Sequence, residues 1–337
     1  MNFKDVSIVE DVIEYLNHVS SKTLVIYSIT SVKVNSISLT NPNCFYISSK
    51  DMTKDINVIQ KKLEEIPNFS EIITIGGGTA TDIGKYIASL KNVKITSIIT
   101  MLSTNVYATD KVALIVNGRK ETLLAKMPDV IVVDSKILKN ATKLNLYGLA
   151  DVFSIYTALK DWDIAIEDGK DKIDIKIYHD AYNLLSKTIS FVKDNSFDEI
   201  CNHQEELFYL IGEAGYITNE YGCGRPESGS EHLFAKEIES LKEMPHAIAV
   251  SNGIILMSLL QDNFSEDILF CLNKLRLYEE AYQMGVRFDL IQKAYYQVIP
   301  RKDRYTIVDR VYQDEEAKQD VFQSFVQIMG GYYHVNN

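Results

Sequence analysis

Short apolar runs rich in β-branched and aromatic residues recur up to about residue 140 of the chain. Six of them can be read as strands: TLVIYS, CFYISS, EIITIG, ITSIIT, VALIV and VIVVD. Most are continuously apolar, as expected for strands covered on both faces, and helical segments such as residues 78–90 lie between them. That alternation predicts an α/β domain with a Rossmann-like, largely parallel sheet.

The fifth run, VALIV, continues into a second extended stretch across a turn signal. In VALIVNGRKETLLA the dipeptide Asn117-Gly118 stands between the two stretches. Asn-Gly is the pair that two-residue hairpin turns prefer, because both positions require a positive φ. We therefore predict a local β-hairpin here.

From about residue 141 onward the patterns are long and helical, and no further strand run follows. Three clear examples are LADVFSIYTALKDWDIAI, KIDIKIYHDAYNLLSKTISFV and SEDILFCLNKLRLYEEAYQMG. At 337 residues the chain is also long for a single hydrophobic core. We therefore expect an α/β domain over residues 1–142 and an all-helical domain over residues 143–337. An active site would then lie in the cleft between them.

Composition excludes several classes of protein. No apolar run approaches the ~20 residues of a membrane span, and the acidic, amphipathic start MNFKDVSIVEDVIEYL is unlike a signal peptide. The four cysteines lack CxxC spacing, which is typical of a cytoplasmic protein with free thiols. A net charge of −11 argues against nucleic acid as a partner, since phosphate backbones require clustered lysines and arginines. An anionic small molecule needs only a local positive site.

Three consecutive glycines, Gly76, Gly77 and Gly78, separate the strand run EIITI from a helical pattern. Glycines at such a junction let the backbone approach a bulky anion, and the helix start offers free N–H groups and the positive end of its dipole. Thr79 and Thr81 add hydroxyls. The pattern is neither a G-x-G-x-x-G fingerprint nor a Walker A loop, so a tight turn without a ligand is the alternative.

Two of the six histidines, His232 and His246, stand at predicted helix starts. Ser228 and Glu231 have capping-box spacing just before His232. Pro245 precedes His246, and proline favours the first helical position. A helix N-terminus disfavours positive charge, so both imidazoles are expected to be neutral, which is the form that binds a metal.

A carboxylate would complete such a site, and Asp151 opens the first long helix of the second half. Two histidines and one aspartate leave coordination positions free for a substrate, as a catalytic site requires. The alternative is that each histidine is a capping or surface residue and that Asp151 is an ordinary N-terminal acid. Spacing alone does not decide between these two interpretations.

Five segments, taken together, resemble one enzyme superfamily. They are IGGGTATDIGKYIA (75–88), LIVNGRKETLLAKMPDVIVVDSKIL (114–138), YGLADVFSIYTALKDW (147–162), GRPESGSEHLF (224–234) and PHAIAVSNGI (245–254). They resemble the iron-dependent alcohol dehydrogenase and dehydroquinate synthase-like superfamily. Within it the chain is most similar to the glycerol-1-phosphate dehydrogenase branch, with glycerol dehydrogenases close by.

The resemblance implies an NAD or NADP cofactor lying across the glycine turn. The corresponding cofactor positions in this chain are Gly76, Gly77, Gly78, Thr79, Asp82, Thr100 and Ser103. The first strand and its exit, LVIYSITS, have no acidic residue to hold a ribose 2′-hydroxyl, which permits NADP and leaves the choice of cofactor open.

The resemblance also implies that Asp151, His232 and His246 hold one divalent metal, zinc or iron in most relatives. The implied activity is a metal-dependent, NAD(P)-linked alcohol dehydrogenase. Its substrate would be a small polyol or polyol phosphate, of glycerol or glycerol-1-phosphate type, oxidised to the ketone or formed in the reverse reaction. Relatives often form dimers or larger rings, so a homo-oligomer is expected.

The loop TMLSTNVYATD (100–110) departs from the family pattern PTxxSxDG. The family's substrate-side aspartate falls on Asn105, which can donate and accept hydrogen bonds but cannot relay a proton. Asp110 would replace that aspartate only if the loop is threaded differently. The catalytic positions are therefore taken as Asn105 and Lys120, the lysine serving as a proton path if its side chain points inward.

A second departure follows the second histidine, where many relatives have a Gly-Glu pair. Ala247 and Ile248 stand there instead, which predicts that a carboxylate is missing near the metal. A substrate phosphate would need a cation, and Arg119, Lys120 and Arg225 are available for it. Both departures leave the exact substrate and the level of activity open.

Two other functions stay open. A sugar-phosphate cyclase of the dehydroquinate synthase type would use the same metal and cofactor, but the extended basic loop before the metal aspartate is missing here. A metal- and nucleotide-binding relative with weak or no turnover is the non-enzymatic alternative, motivated by Asn105 and Ile248.

Overall fold

The strand runs of the first half form a six-stranded parallel sheet in the computed structural model, which describes residues 6–9 and 11–333. In chain order the strands are β1 (Val6–Val9), β2 (Thr23–Tyr27), β3 (Cys44–Ser48), β4 (Glu71–Gly76), β5 (Lys94–Ile99), β6 (Lys111–Val116), β7 (Arg119–Leu124) and β8 (Val130–Asp134). Six of them lie in the order β1-β8-β5-β4-β2-β3, and every neighbouring pair is parallel. The predicted α/β sheet is confirmed.

The continuous apolar character of the central strands follows from burial on both faces. Successive residues of a strand point to opposite sides of the sheet. Leu24 and Ile72 belong to the hydrophobic cluster on one face, whereas Val25, Ile73 and Ile75 belong to the cluster on the other. All five side chains are almost completely buried.

The edge strand β1 is not indicated by the sequence pattern. It contains only four residues, and it pairs with β8 so that Ile8 lies opposite Val133. Ile8 is exposed, as expected at the edge of a sheet. A run this short between acidic residues has too little periodicity to distinguish a strand from the start of the helix that follows.

The predicted hairpin is confirmed and accounts for the fifth apolar run. Strands β6 and β7 are antiparallel, with Val116 opposite Arg119. Asn117 and Gly118 form the turn with φ values of 52° and 77°, the left-handed conformation that this turn type requires. Strand β6 therefore belongs to a separate two-stranded sheet.

Seven α-helices accompany the strands of the first half. They are α1 (Val12–Asn17), α2 (Ile29–Val34), α3 (Ser49–Met52), α4 (Ile56–Glu65), α5 (Gly78–Lys91), α6 (Ser135–Lys139) and α7 (Thr142–Asn145). Five of them begin at a side chain that accepts backbone N–H groups of the first turn, namely Asp11, Ser28, Ser48, Asp55 and Asp134. Such caps satisfy donors that a helix start otherwise leaves unpaired.

The second half is largely helical, as predicted, and its described residues form no strand beyond an isolated antiparallel bridge between Arg301 and Arg304. Its helices are α8 (Leu149–Glu167), α9 (Ile175–Asp194), α10 (Phe197–Asn202), α11 (Gln204–Tyr221), α12 (Ser230–Leu241), α13 (His246–Leu260), α14 (Glu266–Lys274), α15 (Leu277–Gln283), α16 (Phe288–Gln297), α17 (Ile307–Val311) and α18 (Glu315–Met329). Helix α13 is buried from residue 247 to residue 258 and packs against α8, α12 and α18. A helix that is apolar all round lies in the centre of its bundle.

The chain divides into two compact units that are not continuous in sequence. One contains Met1–Asn145 and Cys201–Tyr216, and the other contains Leu146–Ile200 and Ile217–Asn337. Most of helix α11 thus belongs to the unit that contains the sheet. There Tyr107 stacks on Phe208 with ring centroids 5.0 Å apart and donates its hydroxyl hydrogen to the Phe208 carbonyl at 2.7 Å. The predicted domain boundary at residues 142 and 143 stays a prediction.

Among the described residues, no helix combines the length and the apolarity that crossing a membrane requires.

Candidate active site

The glycine turn lies where the connections of the parallel sheet diverge. In the sheet, β3 lies to one side of β2, and β5 lies to the opposite side of β4. The chain therefore leaves the adjacent carboxyl ends of β2 and β4 in opposite directions. Ser28, just after β2, donates its backbone N–H to the Ile75 carbonyl at 2.8 Å. Open parallel sheets bind ligands at such a point, and Gly76, Gly77 and Gly78 line it.

The turn itself presents bare backbone. Gly76 has a φ of 153°, and Gly77 is the N-cap of α5 with no capping side chain. A Cβ atom at position 77 would lie 2.9 Å from Cγ of Met101, so a side chain there would meet the neighbouring loop. At position 78 the nearest atom to an added Cβ is Oγ1 of Thr104, at 3.5 Å. The first N–H groups of α5 thus remain available to an anion.

Most of the other predicted cofactor positions lie beside this turn. The backbone N–H of Thr100 donates to the Gly76 carbonyl at 3.3 Å. The Ser103 hydroxyl oxygen lies 3.8 Å from the position of a Cβ added to Gly77. Thr79 is exposed in the first turn of α5. Their assignment as cofactor contacts stays a prediction.

Asp82 has a different environment from the rest of the set. It is buried on α5, and its carboxylate accepts a hydrogen bond from the Lys54 ammonium at 2.7 Å. This ion pair connects α5 to the segment between α3 and α4. Asp82 is therefore engaged with a cation of the protein itself.

The loop that carries Asn105 is held from inside the first unit. Asn105 is half-buried and precedes a short 3-10 helix, Val106–Ala108. Lys85 is fully buried and donates to the carbonyls of Val106 at 2.8 Å and Lys111 at 2.6 Å. Burial lowers the pKa of Lys85 to about 8. The loop is thus fixed on both sides of Ala108 by one ammonium group.

Lys120, the second predicted catalytic position, lies in β7 opposite Ile115. It is exposed on the two-stranded sheet. Its role as a proton path stays a prediction.

The three predicted metal ligands come together within the second unit. Asp151 is the third residue of α8, His232 is the third residue of α12, and His246 is the first residue of α13. Both histidines therefore lie in first turns, as predicted. Their ligand atoms and a carboxylate oxygen of Asp151 all lie within 4.8 Å of one another.

The two distances from Asp151 are compatible with one small ion. Oδ1 of Asp151 lies 3.9 Å from Nε2 of His232 and 3.7 Å from Nε2 of His246. Two ligands that each bind an ion at about 2 Å can be at most about 4 Å apart. Asp151 and both histidines are largely shielded from solvent, with side-chain exposures of 9%, 16% and 28% respectively.

A carboxylate fixes each imidazole from behind. Nδ1 of His232 lies 2.7 Å from Oε1 of Glu231, and Nδ1 of His246 lies 2.5 Å from Oε1 of Glu239. A carboxylate can only accept, so each Nδ1 carries the hydrogen. Nε2 is then the atom through which each histidine can bind a metal, with its Nδ1 held by a carboxylate as behind other metal-binding histidines.

Behind Glu231 lies another buried carboxylate, that of Asp161 on α8. It accepts the backbone N–H groups of Ser230 at 2.6 Å and Ile307 at 2.8 Å, which are the first residues of α12 and α17. Burial, and secondarily the charge of Glu231, raises the pKa of Asp161 to about 6. A Cβ at Gly229 would overlap the Asp161 carboxylate, so only glycine fits between these groups.

The carboxylates behind the histidines are not predicted as site residues by the sequence. The sequence indicates Glu231 only as a capping partner. Its position directly before a first-turn histidine could also have indicated a carboxylate that holds the imidazole. Glu239 has no such signal, because it reaches His246 from the preceding helix. It also corrects the prediction drawn from Ala247 and Ile248: a carboxylate is present beside His246.

The start of α12 differs from the predicted capping box. Gly229, not Ser228, is the N-cap, and it has no side chain to accept a hydrogen bond. Glu231 nevertheless accepts the backbone N–H of Gly229 at 2.6 Å, which is one half of the expected box.

Arg225 is not available as the predicted phosphate contact. It is 2% exposed. Its Nε lies 3.1 Å from the Asp171 carboxylate, and its Nη1 donates to the Tyr305 carbonyl at 2.7 Å. The guanidinium is committed to contacts within the second unit.

Comparison with known proteins agrees with this geometry. Residues 18–142 match the family model described as iron-containing alcohol dehydrogenase. A glycerol-1-phosphate dehydrogenase [NAD(P)+] of Methanococcus aeolicus is 27% identical over 277 residues, which cover 76% of this chain and 79% of the relative. The chain is therefore similar to iron-containing alcohol dehydrogenases in residues 18–142 and to glycerol-1-phosphate dehydrogenases over most of its length. The corresponding enzyme of Methanobrevibacter smithii is 27% identical, over 80% of this chain and 83% of its own length.

Solved structures show that this chain has the fold of glycerol dehydrogenases. A probable glycerol dehydrogenase from Sinorhizobium meliloti superposes with a TM-score of 0.71 at 16% identity, covering 97% of each chain. Glycerol dehydrogenase from Schizosaccharomyces pombe gives a TM-score of 0.68 at 14% identity, over 97% of this chain and 91% of that one. At these identities the similarity concerns the fold.

Proposed function

We propose that this protein is an NAD(P)-dependent dehydrogenase of the iron-containing alcohol dehydrogenase family, and that it uses one divalent metal, zinc or iron, to oxidise a small polyol or polyol phosphate or to reduce the corresponding ketone. The observation that carries the proposal is the convergence of Asp151, His232 and His246, with both Nε2 atoms facing the aspartate. The relatives named glycerol-1-phosphate dehydrogenase support a substrate of the glycerol-1-phosphate or glycerol type.

The residues present fit a catalytic metal. Two neutral imidazoles and one carboxylate make a three-ligand set, which leaves coordination positions open to a substrate. When bound, the ion would supply Lewis-acid polarisation of the substrate oxygen. The protein's part is to keep Asp151, His232 and His246 fixed and partly shielded from water, where charge stabilisation is stronger.

The cofactor would lie across the glycine turn. Its pyrophosphate fits the free N–H groups at the start of α5 and the bare backbone of Gly77 and Gly78. Thr79 and Ser103 would add hydroxyl contacts beside the turn. Thr100 would lie close to the cofactor, with its buried hydroxyl donating to Ser31 Oγ at 2.9 Å. In this arrangement Asp82 acts through its ion pair with Lys54, by fixing α5, and does not contact the cofactor.

The groups that would handle the substrate's hydroxyls and protons are few. Asn105 would hold a substrate hydroxyl by a hydrogen bond, since its amide can donate and accept. It cannot move a proton, so the proton released on oxidation would leave through water, the cofactor ribose hydroxyls or Lys120.

A substrate panel tests the proposal. Purified protein would be analysed for bound metal and mixed with NAD⁺ or NADP⁺ and with glycerol, glycerol-1-phosphate or other short diols. We expect cofactor reduction with one of these polyols. Release of phosphate without net reduction would select the cyclase alternative. Bound metal and bound cofactor without any turnover would select the non-enzymatic alternative.

Substituting Gly78→Ala tests the cofactor site. The added methyl group meets only Thr104 Oγ1 at 3.5 Å, so the fold should tolerate it. It would project from the turn that the cofactor must approach, so the Kd for NAD(P)H should rise about tenfold or more, a change of about 1.4 kcal/mol. Fluorescence titration with NADH and NADPH measures this. An unchanged Kd for both would place the cofactor elsewhere.

Substituting Asn105→Asp tests whether position 105 limits the reaction. A carboxylate can accept a proton, and a positioned acid or base typically contributes about 10²–10⁴-fold. We expect kcat to rise by about tenfold or more, with a new dependence on pH, whereas Asn105→Ala should lower kcat/KM. Steady-state kinetics across pH with the preferred polyol would show this. An unchanged kcat in Asn105→Asp would mean that position 105 does not limit turnover.

A further inference from the structure

The Glu231 carboxylate, close to the proposed metal site, accepts three hydrogen bonds. Glu231 is fully buried. Its Oε1 accepts hydrogen bonds from the Gly229 N–H at 2.6 Å and from Nδ1 of His232 at 2.7 Å. Its Oε2 accepts from the Thr157 hydroxyl at 2.7 Å. A carboxylate is tolerated at such a depth only when it is hydrogen-bonded in this way, and each of these bonds fixes its orientation.

The Thr157 contact joins the helices of two proposed ligands. Thr157 lies on α8, the helix whose third residue is Asp151, whereas Glu231 and His232 lie in the first turn of α12. The side chain of Gln261 reinforces the same junction, because its amide donates to the Thr157 carbonyl at 3.0 Å. A continuous series of buried hydrogen bonds therefore runs from α8 through Thr157 and Glu231 to the ring of His232.

We infer that Glu231, anchored by Thr157, is the positioning residue that sets the orientation of His232 for a metal ion. This inference rests on the proposed metal site. Glu231 holds the hydrogen on Nδ1, which makes Nε2 the ligand atom, and Thr157 fixes the carboxylate relative to the helix of Asp151. Loss of either contact lets the imidazole rotate or change tautomer, so metal affinity falls although all three ligands are still present.

The corresponding support of His246 is less enclosed. The Glu239 side chain is 13% exposed, compared with 0% for Glu231. At a partly exposed carboxylate, water can replace part of the hydrogen bond to the imidazole. The Glu231 contact should therefore have the larger effect on metal binding, and Glu239→Gln should have a smaller one.

Cobalt(II) binding to the full-length, metal-depleted protein tests the inference without any turnover. The visible absorption of the bound ion reports both affinity and coordination geometry. Removing a hydrogen bond that holds a metal-binding histidine typically lowers metal affinity by about 10- to 100-fold. We expect the Kd for Co²⁺ to rise by that factor in Glu231→Gln and Thr157→Val, with an altered spectrum. Thr157→Ser keeps the hydroxyl and should retain the wild-type Kd and spectrum.

Two matched variants control for the loss of a buried hydroxyl or of a carboxylate in general. Thr188 is a buried threonine of the same unit whose hydroxyl bonds only within its own helix, to Leu184, so Thr188→Val removes a hydroxyl away from the site. Glu237→Gln removes a carboxylate from the same helix as Glu231. Neither should change Co²⁺ binding.

The outcomes are distinguishable. Wild-type Kd and spectrum in both Glu231→Gln and Thr157→Val would overturn the positioning role while leaving the metal site intact. Failure of wild-type protein to bind one equivalent of Co²⁺ would overturn the metal site and the inference together. If Glu231→Gln does not fold, the difference between Thr157→Val and Thr157→Ser decides the question, because a structural defect alone would not restore the spectrum with serine.

Discussion

His246→Ala protein is expected to lose its bound metal and to turn over the preferred polyol about 10³-fold more slowly than the wild type. Lewis-acid polarisation of a substrate oxygen contributes several kcal/mol to the barrier, and each 1.36 kcal/mol corresponds to about a tenfold change in rate. His246 is one of the three proposed ligands, so its removal leaves two of them. The side chain is 28% exposed at the start of α13, so truncation should change the fold little.

Metal content by mass spectrometry, kcat/KM and a thermal melt would be measured on the same preparations. His179→Ala is the matched control, since His179 is an exposed histidine on α9. Chelation should lower wild-type activity to the level of the His246→Ala variant, and added zinc or iron should restore only the wild type. One equivalent of metal retained in His246→Ala with normal turnover would contradict the proposed site.

The parallel sheet could be predicted because its strands are buried on both faces and are therefore continuously apolar. That signal fails at β1, which has four residues at an exposed edge. It is also insufficient for β6, which is apolar but lies outside the six-stranded sheet and pairs with β7. Strand pairing depends on which strands are neighbours in the fold, and an apolar run does not indicate its neighbours.

The assignment of α11 to the first unit could not be predicted either. Its sequence pattern is that of any buried helix. Its place is decided by Tyr107 and Phe208, two aromatic residues that stack although they are 101 positions apart. Periodicity shows that a helix has an apolar face but not which surface covers it.

The candidate ligands could be predicted, because helix-start signals and the family resemblance coincide at Asp151, His232 and His246. The hydrogen bonds behind them could not. Thr157 and Glu231 are 74 positions apart and have no shared motif. A threonine in a helix interior usually bonds to its own helix, and the Thr157 hydroxyl does contact the Ser154 carbonyl at 3.1 Å. The packing of α8 against α12 adds the closer Glu231 carboxylate as an acceptor, which the sequence does not indicate.

Gly84→Ala is expected to destabilise the first unit, although alanine is the better helix former. In an exposed helix this change would stabilise by about 1 kcal/mol. At Gly84, however, an added Cβ would overlap Cγ2 of Thr74 and lie 3.4 Å from Cδ1 of Ile95. Thr74 is completely buried in β4, and its hydroxyl donates to Ser97 at 2.9 Å. Overpacking of this kind costs about 1–3 kcal/mol, which exceeds the gain in helix propensity.

The overlap is mainly with the methyl group of Thr74, so a second substitution that removes this methyl group tests the explanation. Thr74→Ser removes the methyl group that an alanine at position 84 would meet, and it keeps the hydroxyl that donates to Ser97. The double variant Gly84→Ala/Thr74→Ser should therefore be more stable than Gly84→Ala alone, a coupling that independent sites do not show. Gly78→Ala, on the same helix, is the control and should unfold in urea at the wild-type midpoint, as followed by circular dichroism. If serine at position 74 does not recover the midpoint of Gly84→Ala, close contact between α5 and β4 is not the reason for glycine at position 84.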